Sequence, residues 1–483
     1  MDEKTNKIID VYFFGAGKKG RYWLECCRAL GIRPKGILDN NKALCGSLCQ
    51  DVTIYHPDIL NQLSFEFLFI TCNREDEIVK QLLDLGVPKN KIVVHSHYLL
   101  NYFLYHSVLA PAVFMEKEKL KNFSSDKKVL IDLRNGMVLG GVESWAYGLA
   151  KDLKEKGYQG LYLASDEMEP SVKDETFPAR MLRYKELREE RDRIRLCVKE
   201  ILENGPCTVV CNFAHNIFWS ACIARRLSPD SVRVVAVQHC DEGIYYETYG
   251  LWKKYIDRYL VISSRMESKV LFYGTEQSKI RHLGWKVACE ERLKRLWSAD
   301  GTCLQIGYAG RVTIKAKRSD LLPVLAVKLR DRGICFRINI AGSGNYSEAL
   351  CQRIGQEGLE EYIRLLGYVS RSDIPKFWES QDIMISCSEF EGHSISQAEA
   401  MAAGAVPVLT NVSGAEDDVT DGYNGYIVDI RDMEAMADRI CRLYHDRNML
   451  AWMGRNAHDT IYQRQANMDQ GQFWEGLLKE IWQ

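Results

Sequence analysis

The stretch SEFEGHSISQAEAMAAGAVP, residues 388–407, decides the fold because it joins two apolar segments through a loop and a helical pattern. One apolar segment, residues 382–386, precedes it, and a second begins at its end and covers residues 405–409. The small and apolar residues between them keep helical spacing as far as Gly404. Strand, loop, helix and strand in this order predict one βαβ unit of a parallel sheet.

Two carboxylates lie eight positions apart in this stretch, Glu391 before the helix and Glu399 within it. In an open parallel sheet, ligands bind beyond the carboxyl ends of the strands, where Glu391 and the amides of Gly392, His393 and Ser394 would lie. The pattern therefore predicts a polar ligand held between two acids. Taken alone, the pair is also compatible with a solvated surface or with helix capping.

The stretch resembles the E-x7-E signature of the retaining, GT-B-fold glycosyltransferases of family four. Its core EGxSxxxxEAMAxG and the sequence DGYNGYIV at 421–428 are both similar to that family. The resemblance implies that Glu399 binds the ribose of a donor nucleotide, while Glu391 and the loop after it position the transferred sugar. It also implies an α/β fold in which two Rossmann-like domains face a cleft.

A basic loop follows the sequence GYAGR at 307–311, with Lys315, Lys317 and Arg318 close together. Clustered cations suit a leaving diphosphate, whose charge must be neutralised as the glycosidic bond breaks. The family carries a Lys five positions after the Arg of its GR pair, whereas here Lys317 follows Arg311 by six. The resemblance implies that Arg311 and Lys317 bind phosphate, with Lys315 as a rival. A basic loop facing water is the alternative.

Two further segments between these loops resemble the nucleotide-binding half of the family. RINIAGSGNY at 337–346 is typical of a strand and a Gly-x-Gly turn, in which Gly342 and Gly344 would let the backbone approach the nucleotide. The following strand pattern ends before Tyr368, where the resemblance implies contact with the base.

The partner half lies upstream, beginning with VLIDLRNGMVLGGVESWAYGLAKDLKEKG at 129–157. This segment predicts a strand, a glycine-rich loop and a helix, and the resemblance places Gly140 and Gly141 against the donor phosphate or the acceptor. The last of the strand patterns that follow delivers His239 to a strand end, where the family has a His near the transferred sugar; a structural His is the alternative. These strand patterns cover residues 160–164, 208–212 and 232–238.

The first hundred residues carry a separate pattern. IIDVYFFGAGKKGRYWLECCRALGI places Gly15, Gly17 and Gly20 between a strand and a helix, and the next strand ends on Asp39. This arrangement is typical of dinucleotide binding, with the helix N-terminus for phosphate and the carboxylate for ribose hydroxyls. The segment also resembles the small Rossmann-like domains at the front of some sugar acyltransferases and other polysaccharide-assembly enzymes. A nucleotide site and an empty scaffold both remain open.

Length and composition agree with several soluble α/β domains, because 483 residues with 46% hydrophobic content exceed one compact core. The net charge of -1 gives no overall positive electrostatic field that would attract nucleic acid. The apolar runs are of strand length, which predicts neither a signal peptide nor a membrane span. Sixteen scattered cysteines without a zinc pattern favour reduced thiols, a cytoplasmic location and no metal site.

The sequence thus predicts two Rossmann-like GT-B domains preceded by a third, smaller one. A mixed-charge segment at 169–203 predicts a surface helix with i,i+4 ion pairs. Its alternative is a basic face against anionic lipid or a polyprenyl-linked acceptor at the inner face of the membrane. The expected boundaries are 1–105 for the accessory domain, 106–126 for a linker, 127–295 for the acceptor-side domain, 296–465 for the donor domain and 466–483 for a helix crossing back to the acceptor-side domain.

The resemblance implies retaining transfer of a sugar from a nucleoside diphosphate sugar to a carbohydrate or lipid-linked glycan acceptor. A UDP-sugar is the first choice of donor and a GDP-sugar the second. No divalent metal is required, because Arg311 and Lys317 take its electrostatic role. Two alternatives are an NAD(P)-dependent enzyme acting on nucleotide sugars through the Gly15 loop, for which residues 1–125 show no hydride-transfer constellation, and a non-catalytic partner in a glycan-assembly complex.

Overall fold

The computed structural model contains three α/β units, each built on one largely parallel sheet. The predicted linker at 106–126 and Gly140 lie outside the described residues. No helix within the described segments is long and apolar enough to cross a membrane. The described residues are 7–96, 99–100, 102–104, 128–138, 141–284, 286–466 and 469–483.

The first unit has the strand order β3-β4-β2-β1-β5-β6, and only the β3–β4 pair is antiparallel. Its central strands are buried on both faces, as expected for parallel strands covered by helices. Its elements are β1 (Lys7–Phe14), α1 (Lys18–Ala29), β2 (Ile32–Leu38), β3 (Leu48–Cys49), β4 (Val52–Tyr55), β5 (Phe67–Ile70), α2 (Glu75–Asp84) and β6 (Ile92–Val93).

The second unit is a fully parallel sheet with the order β13-β12-β11-β10-β7-β8-β9. The strand order reverses between β7 and β10. Its elements are β7 (Lys128–Leu133), α3 (Gly141–Glu155), β8 (Gln159–Ser165), β9 (Ala179–Leu182), α4 (Glu190–Glu203), β10 (Cys207–Cys211), α5 (Asn216–Leu227), β11 (Val232–Gln238), α6 (Gly243–Trp252), β12 (Arg258–Val261), α7 (Ser264–Phe272) and β13 (Ile280–His282).

The prediction of one helix over 169–203 is wrong in its first half. Helix α4 begins only at Glu190, and the residues before it include the edge strand β9, which pairs with β8. Pro170 and Pro178 lie in this part of the chain and lack the backbone N–H that a helix interior requires. On α4, Glu200 is buried and accepts two hydrogen bonds from Arg180 of β9, at 2.8 and 2.6 Å.

The third unit has the order β16-β15-β14-β17-β18-β19, and its strand order reverses between β14 and β17. The βαβ unit predicted from residues 388–407 is confirmed as β17, α11 and β18. Its elements are β14 (Leu304–Ala309), α8 (Leu321–Asp331), β15 (Phe336–Ala341), α9 (Ser347–Gln356), β16 (Ile363–Gly367), α10 (Ile374–Glu379), β17 (Ile383–Ser386), α11 (Ile395–Ala402), β18 (Val406–Thr410), α12 (Ala415–Asp418), β19 (Tyr426–Val428), α13 (Met433–His445) and α14 (Arg447–Ala466).

One pair of cysteines departs from the prediction of reduced thiols. Cys303 and Cys335 form a disulfide with their Cα atoms 4.5 Å apart. They precede β14 and β15, and the pairing of Leu304 with Phe336 brings them side by side. The other fourteen cysteines are free.

The C-terminal helix α15 (Gln470–Trp482) follows the third unit but packs on the second. Its buried Trp474 belongs to the hydrophobic core of the second unit. The indole Nε1 of Trp482 donates a hydrogen bond to Thr208 Oγ1 at 2.9 Å, and Arg233 donates to the Ile481 carbonyl at 2.7 Å. The helix therefore connects the two larger units, because the chain enters it from the third unit and it packs on the second.

The first unit docks on helix α6 of the second. Buried Glu247 accepts hydrogen bonds from the amides of Val94 and His95 at 3.1 and 3.0 Å, and its carboxylate lies 3.1 Å from the His95 ring. The hydrogen bond to Glu247 raises the pKa of His95 above its usual value. Apolar side chains of both units, such as Phe13 and Phe218, belong to one continuous core.

Candidate functional site

The third unit brings two predicted site residues together where its strand order reverses. Lys317 lies on the loop after β14 and Glu391 on the loop after β17, and these neighbouring strands end at the same edge. Lys317 Nζ donates to Glu391 Oε1 at 2.5 Å, and Ser388 Oγ donates to the same oxygen at 2.7 Å. Open α/β sheets bind ligands at this reversal point. The rival cation Lys315 and the predicted Arg311 are both exposed on the loop.

Arg318, which the sequence predicts only as one cation of the basic cluster, holds the basic loop in place. Its backbone is left-handed, with φ of 49°, and its guanidinium donates to both oxygens of Asp320 at 2.9 and 2.8 Å. It also forms an ion pair with Glu389, which Arg431 shares. Hydrogen bonds from Arg431 and Arg318 lower the pKa of Glu389. Because this network fixes Arg318, the preceding Lys317 is directed to Glu391.

Glu399 lies half-buried on α11, and its carboxylate makes no hydrogen bond to another described residue. Burial raises the pKa of its carboxyl, and the positive charge of Arg371 opposes that rise. Tyr368 follows β16 at the same edge of the sheet, and its side chain is 67% exposed. A carboxylate and an aromatic ring are thus both available to a ligand at this edge.

The loop between the two glutamates presents backbone donors. The amides of Gly392, His393 and Ser394 make no hydrogen bond to any described residue. Ser394 is the N-cap of α11, and its hydroxyl accepts from the amide of Gln397. The His393 imidazole is only 4% exposed and lies 2.9 Å from Asp418, so this side chain is enclosed in the third unit. Unsatisfied amides at a helix N-terminus suit an anionic or hydroxyl oxygen.

At both glycines of the Gly-x-Gly turn, neighbouring backbone atoms leave no space for a side chain. A Cβ on Gly342 would overlap the Gly310 carbonyl oxygen, and φ at Gly342 is 148°. A Cβ on Gly344 would overlap the Val312 carbonyl oxygen. The turn after β15 therefore supports the backbone that leads into the basic loop. The predicted approach of these glycines to a nucleotide stays a prediction.

The second unit contributes His239, at the end of β11, to the same region. The Asn212 amide nitrogen donates to the Asp132 carbonyl at 2.8 Å, so its oxygen faces His239 Nε2 at 3.1 Å and accepts a hydrogen bond. Burial lowers the pKa of His239 to about 3, which keeps the ring neutral. Burial likewise raises the pKa of the Asp132 carboxyl to about 7. The His239 ring packs edge-on against Trp145 of α3, with centroids 4.9 Å apart.

The two halves are in contact at Gly392. A Cβ on Gly392 would overlap the carbonyl oxygen of His239 and lie 2.6 Å from Ile262 Cδ1. The loop carrying Glu391 therefore faces the strand end carrying His239 across a closed cleft. Within the described residues, no cluster of His, Cys, Asp and Glu could hold a metal ion.

Comparison with known families agrees with this architecture. Residues 291–460, which include Lys317 and both glutamates, match the family model described as glycosyl transferases group 1. This segment is a glycosyl transferases group 1 domain. Residues 5–93 match a second model, described as C2185-like, N-terminal.

Two relatives show how far the similarity extends. The poly(ribitol-phosphate) alpha-N-acetylglucosaminyltransferase of Staphylococcus aureus (strain COL) is 26% identical over 174 residues, which are 36% of this chain and 35% of that protein. A putative colanic acid biosynthesis glycosyltransferase, WcaL, of Salmonella typhimurium is 28% identical over 212 residues, 42% of this chain and 49% of that protein. The chain thus spans between a third and a half of the length of these relatives.

Solved structures share the fold. A mutant of S. aureus TarM, in complex with fondaparinux, alpha-GlcNAc-glycerol and UDP, superposes with a TM-score of 0.57 at 14% identity, covering 74% of this chain and 99% of that one. Anabaena Alr3699/HepE, in complex with UDP and glucose, gives a TM-score of 0.57 at 17% identity, covering 70% and 95%. The group 1 domain and the second unit together form the predicted GT-B fold, preceded by the separate first unit.

The remaining predicted residue of the second unit lies at a helix end. Gly141 begins α3 and is exposed, and a Cβ there would meet no atom within 4 Å. Near it, Asn135 donates a hydrogen bond to buried Glu143 at 2.7 Å, which ties the preceding loop to α3. A side chain is therefore sterically allowed at Gly141, and the contact of this glycine with the donor phosphate or the acceptor stays a prediction.

A latch joins the group 1 domain to the N-terminus of α7 in the second unit. Asp417 accepts a hydrogen bond from the Ser264 amide at 3.0 Å, where a carboxylate also favours the helix dipole. Arg265 Nε donates to Glu416 at 2.8 Å, and its Nη2 donates to the Asn411 side chain at 2.8 Å. These contacts lie beside Gly392 and hold the cleft closed.

Replacing Arg265 with alanine is expected to shift the cleft toward an open state. The change removes one exposed ion pair and two hydrogen bonds, together worth about 1–2 kcal/mol, so the ratio of closed to open molecules falls roughly 5–30-fold. Small-angle scattering should show a larger radius of gyration for the variant. The matched control is Lys479→Ala, which removes the ion pair with Glu475 within α15. An unchanged radius in both variants contradicts the latch.

The glycine pattern of the first unit forms a tight turn between β1 and α1. Gly15 has φ of 115°, and a Cβ on Gly20 would overlap its carbonyl oxygen, whereas a Cβ on Gly17 would meet nothing within 4 Å. Asp39 accepts hydrogen bonds from the Ala16 amide at 2.8 Å and, through its other oxygen, from the Asn41 amide at 2.9 Å. The Asp39 carboxylate thus stabilises the turn by accepting a hydrogen bond from its backbone, while the backbone at Gly17 stays accessible.

Proposed function

We propose that this chain is a retaining glycosyltransferase that moves a sugar from a nucleoside diphosphate sugar to a carbohydrate or lipid-linked glycan acceptor. The observation that carries the proposal is the Lys317–Glu391 pair at the strand reversal, facing His239 across the cleft. UDP is the preferred donor nucleotide, with GDP as the alternative, because the fold neighbours TarM and HepE are both described with UDP.

In this proposal the charges of the site act on the leaving group. Arg311 and Lys317 neutralise the diphosphate as the bond between the sugar and the phosphate oxygen breaks. Preorganised cations stabilise developing charge more in a closed cleft than in water, because the effective dielectric is lower there. Contact of Gly392 with His239 closes the cleft and excludes water from it, which lowers the effective dielectric around these charges.

The remaining residues bind and orient the donor. The Glu399 carboxylate, which makes no hydrogen bond to a described residue, accepts hydrogen bonds from the ribose hydroxyls, and exposed Tyr368 contacts the base. The unpaired amides of the 392–394 loop and Glu391 hold the sugar. His239 contributes a neutral ring beside the sugar, oriented by Asn212.

Retention follows from attack on the face that the leaving group vacates. The acceptor oxygen bonds to the anomeric carbon on that face, and its proton passes to the departing phosphate oxygen. Glu391 Oε1 already accepts from Lys317 and Ser388, which suits an orienting carboxylate better than a nucleophile. The two-carboxylate double displacement of retaining hydrolases is therefore not invoked.

A thermal-shift panel of UDP, GDP, ADP and NAD on wild type and Glu399→Ala tests the proposal. UDP at about 100 times its Kd is expected to stabilise wild type by about 2.7 kcal/mol, which raises Tm by several degrees. Removing a charged hydrogen-bond acceptor costs about 1.5–3 kcal/mol, so Glu399→Ala should bind UDP tenfold or more weakly and lose about half of the shift or more.

The other ligands of the panel distinguish the alternatives. If GDP instead of UDP raises the Tm, and Glu399→Ala abolishes this rise, the proposed donor site is supported and the donor base is guanine. A shift with NAD alone, equal in both proteins, moves the ligand to the Gly17 turn of the first unit and contradicts the proposed donor site. Glu434→Gln, on the outer surface of the group 1 domain, serves as the control and should shift like wild type.

A further inference from the structure

A buried carboxylate, Asp418, lies at the end of α12, behind the 392–394 loop. Its side chain is 0% exposed. Oδ2 lies 2.9 Å from His393 Nε2 and accepts from Gln397 Nε2 at 3.2 Å, while Oδ1 pairs with Arg464 of α14. Its partners therefore come from the 392–394 loop, from the first turn of α11 and from α14.

The charge of Asp418 is compensated by these partners. Burial raises the pKa of its carboxyl, but the hydrogen bond and charge of His393 and the charge of Arg464 outweigh burial and leave the pKa below its usual value. Asp418 is therefore ionised, and a buried charge is tolerated only where its partners are fixed in good geometry.

The partners of Asp418 flank both predicted glutamates. His393 lies two residues after Glu391, and Gln397 lies two residues before Glu399. One carboxylate thus ties together the loop that carries the first glutamate and the helix that carries the second.

The backbone around Asp418 supports the same loop. The Gly414 carbonyl, four residues before Asp418, accepts a second hydrogen bond from Gln397 at 3.3 Å. A Cβ on Gly414 would lie 2.7 Å from the Gly392 carbonyl oxygen and 2.9 Å from His393 Cα, so the two segments are in direct contact. The loop is thus held from behind by side chain and backbone together.

We infer that Asp418 is a positioning residue of the donor site, which sets the distance between Glu391 and Glu399 and fixes the 392–394 amides through His393, Gln397 and Arg464. The inference rests on the proposed function. Asp418 touches neither donor nor acceptor; it acts by holding the groups that do. Its loss should disturb the sugar, which the 392–394 loop holds, more than the nucleotide. Glu399 remains on the intact helix α11, and Arg311 and Tyr368 contact the nucleotide from other strands.

The test is Asp418→Asn, assayed by UDP binding and by hydrolysis of UDP-glucose and UDP-N-acetylglucosamine, in which water replaces the acceptor. In the folded variant, kcat for hydrolysis is expected to fall tenfold or more while the Kd for UDP stays within threefold of wild type. A merely structural residue would lower Tm and leave both values unchanged below the unfolding transition. Asp438→Asn, an exposed change on α13, is the control.

A second pair of variants keeps the inference testable if Asp418→Asn does not fold. The Arg464 side chain is 26% exposed, so Arg464→Met removes one partner with less damage to the core. Arg464→Met should lower kcat fivefold or more, and Arg464→Lys, which keeps the charge, should recover most of it. A wild-type kcat in folded Asp418→Asn or Arg464→Met overturns the inference. A wild type that binds no nucleotide overturns the proposed function instead.

Discussion

Replacing Lys317 with methionine is expected to lower kcat for donor hydrolysis roughly 10²–10³-fold, the effect of removing one preorganised charge from a transition state. The nucleotide should still bind, because Glu399 and Tyr368 lie on other elements. Lys317 touches Glu391 in the structure, and both side chains are largely buried, so the charge acts where water is scarce. The measurement is kcat with UDP-glucose and UDP-N-acetylglucosamine, with the Kd for UDP determined in parallel.

The matched control is Lys315→Met, two residues away on the same loop. Lys315 is exposed, and no ion pair joins it to another described residue, so its loss should change kcat by less than about threefold, as for an exposed charge. The opposite result, with Lys315→Met inactive and Lys317→Met active, would assign the phosphate contact to Lys315, which follows Arg311 by four residues. Equal activity of both variants with wild type would remove the basic loop from the mechanism.

The GT-B architecture could be predicted because its signals are local. The alternation of strand and helix patterns around residues 388–407 specifies a βαβ unit, and the observed β17, α11 and β18 differ from the prediction by only one or two residues at their ends. The prediction of a helix over 169–203 failed because apolar residues recur at roughly helical spacing through the whole segment. Before Glu190, however, the buried Phe177, Leu182 and Tyr184 pack in the core through the edge strand β9 and its flanking turns.

The site was less predictable, because its contacts join residues far apart in sequence. Lys317 meets Glu391 across 74 positions, and Arg318 meets Glu389 across 71. Such distances depend on which strands are neighbours and on how each loop turns, and neither is encoded within a short window. The left-handed backbone of Arg318 has no sequence signal comparable to glycine.

Asn212 and Asp418 were missed for a related reason. Both are buried polar side chains whose partners lie on other elements. A signal existed in each case. Asn212 ends an apolar strand pattern, and the next such pattern along the chain leads to His239. Asp418 is the last of three consecutive acidic residues. Neither signal distinguishes a buried residue from a solvated one without the tertiary structure.

Gly392→Ala is expected to lower kcat by tenfold or more while leaving each domain folded. The φ angle at Gly392 is outside the left-handed region, so alanine is compatible with the group 1 domain itself. Its Cβ would nevertheless overlap the His239 carbonyl oxygen, a backbone atom that cannot rotate away, and would crowd Ile262. Because both obstacles belong to the second unit, opening of the cleft relieves the overlap.

The variant therefore separates closure from binding. Scattering should show a more open molecule, Tm should stay within a few degrees of wild type, and the Kd for UDP should change little, because the nucleotide contacts lie within one domain. Gly476→Ala on α15, where an added Cβ meets nothing within 4 Å, is the control and should behave as wild type. If Gly392→Ala turns over donor at the wild-type rate, closure of this loop against His239 is not part of the reaction. A loss of kcat with unchanged compactness would instead assign the effect to the loop amides.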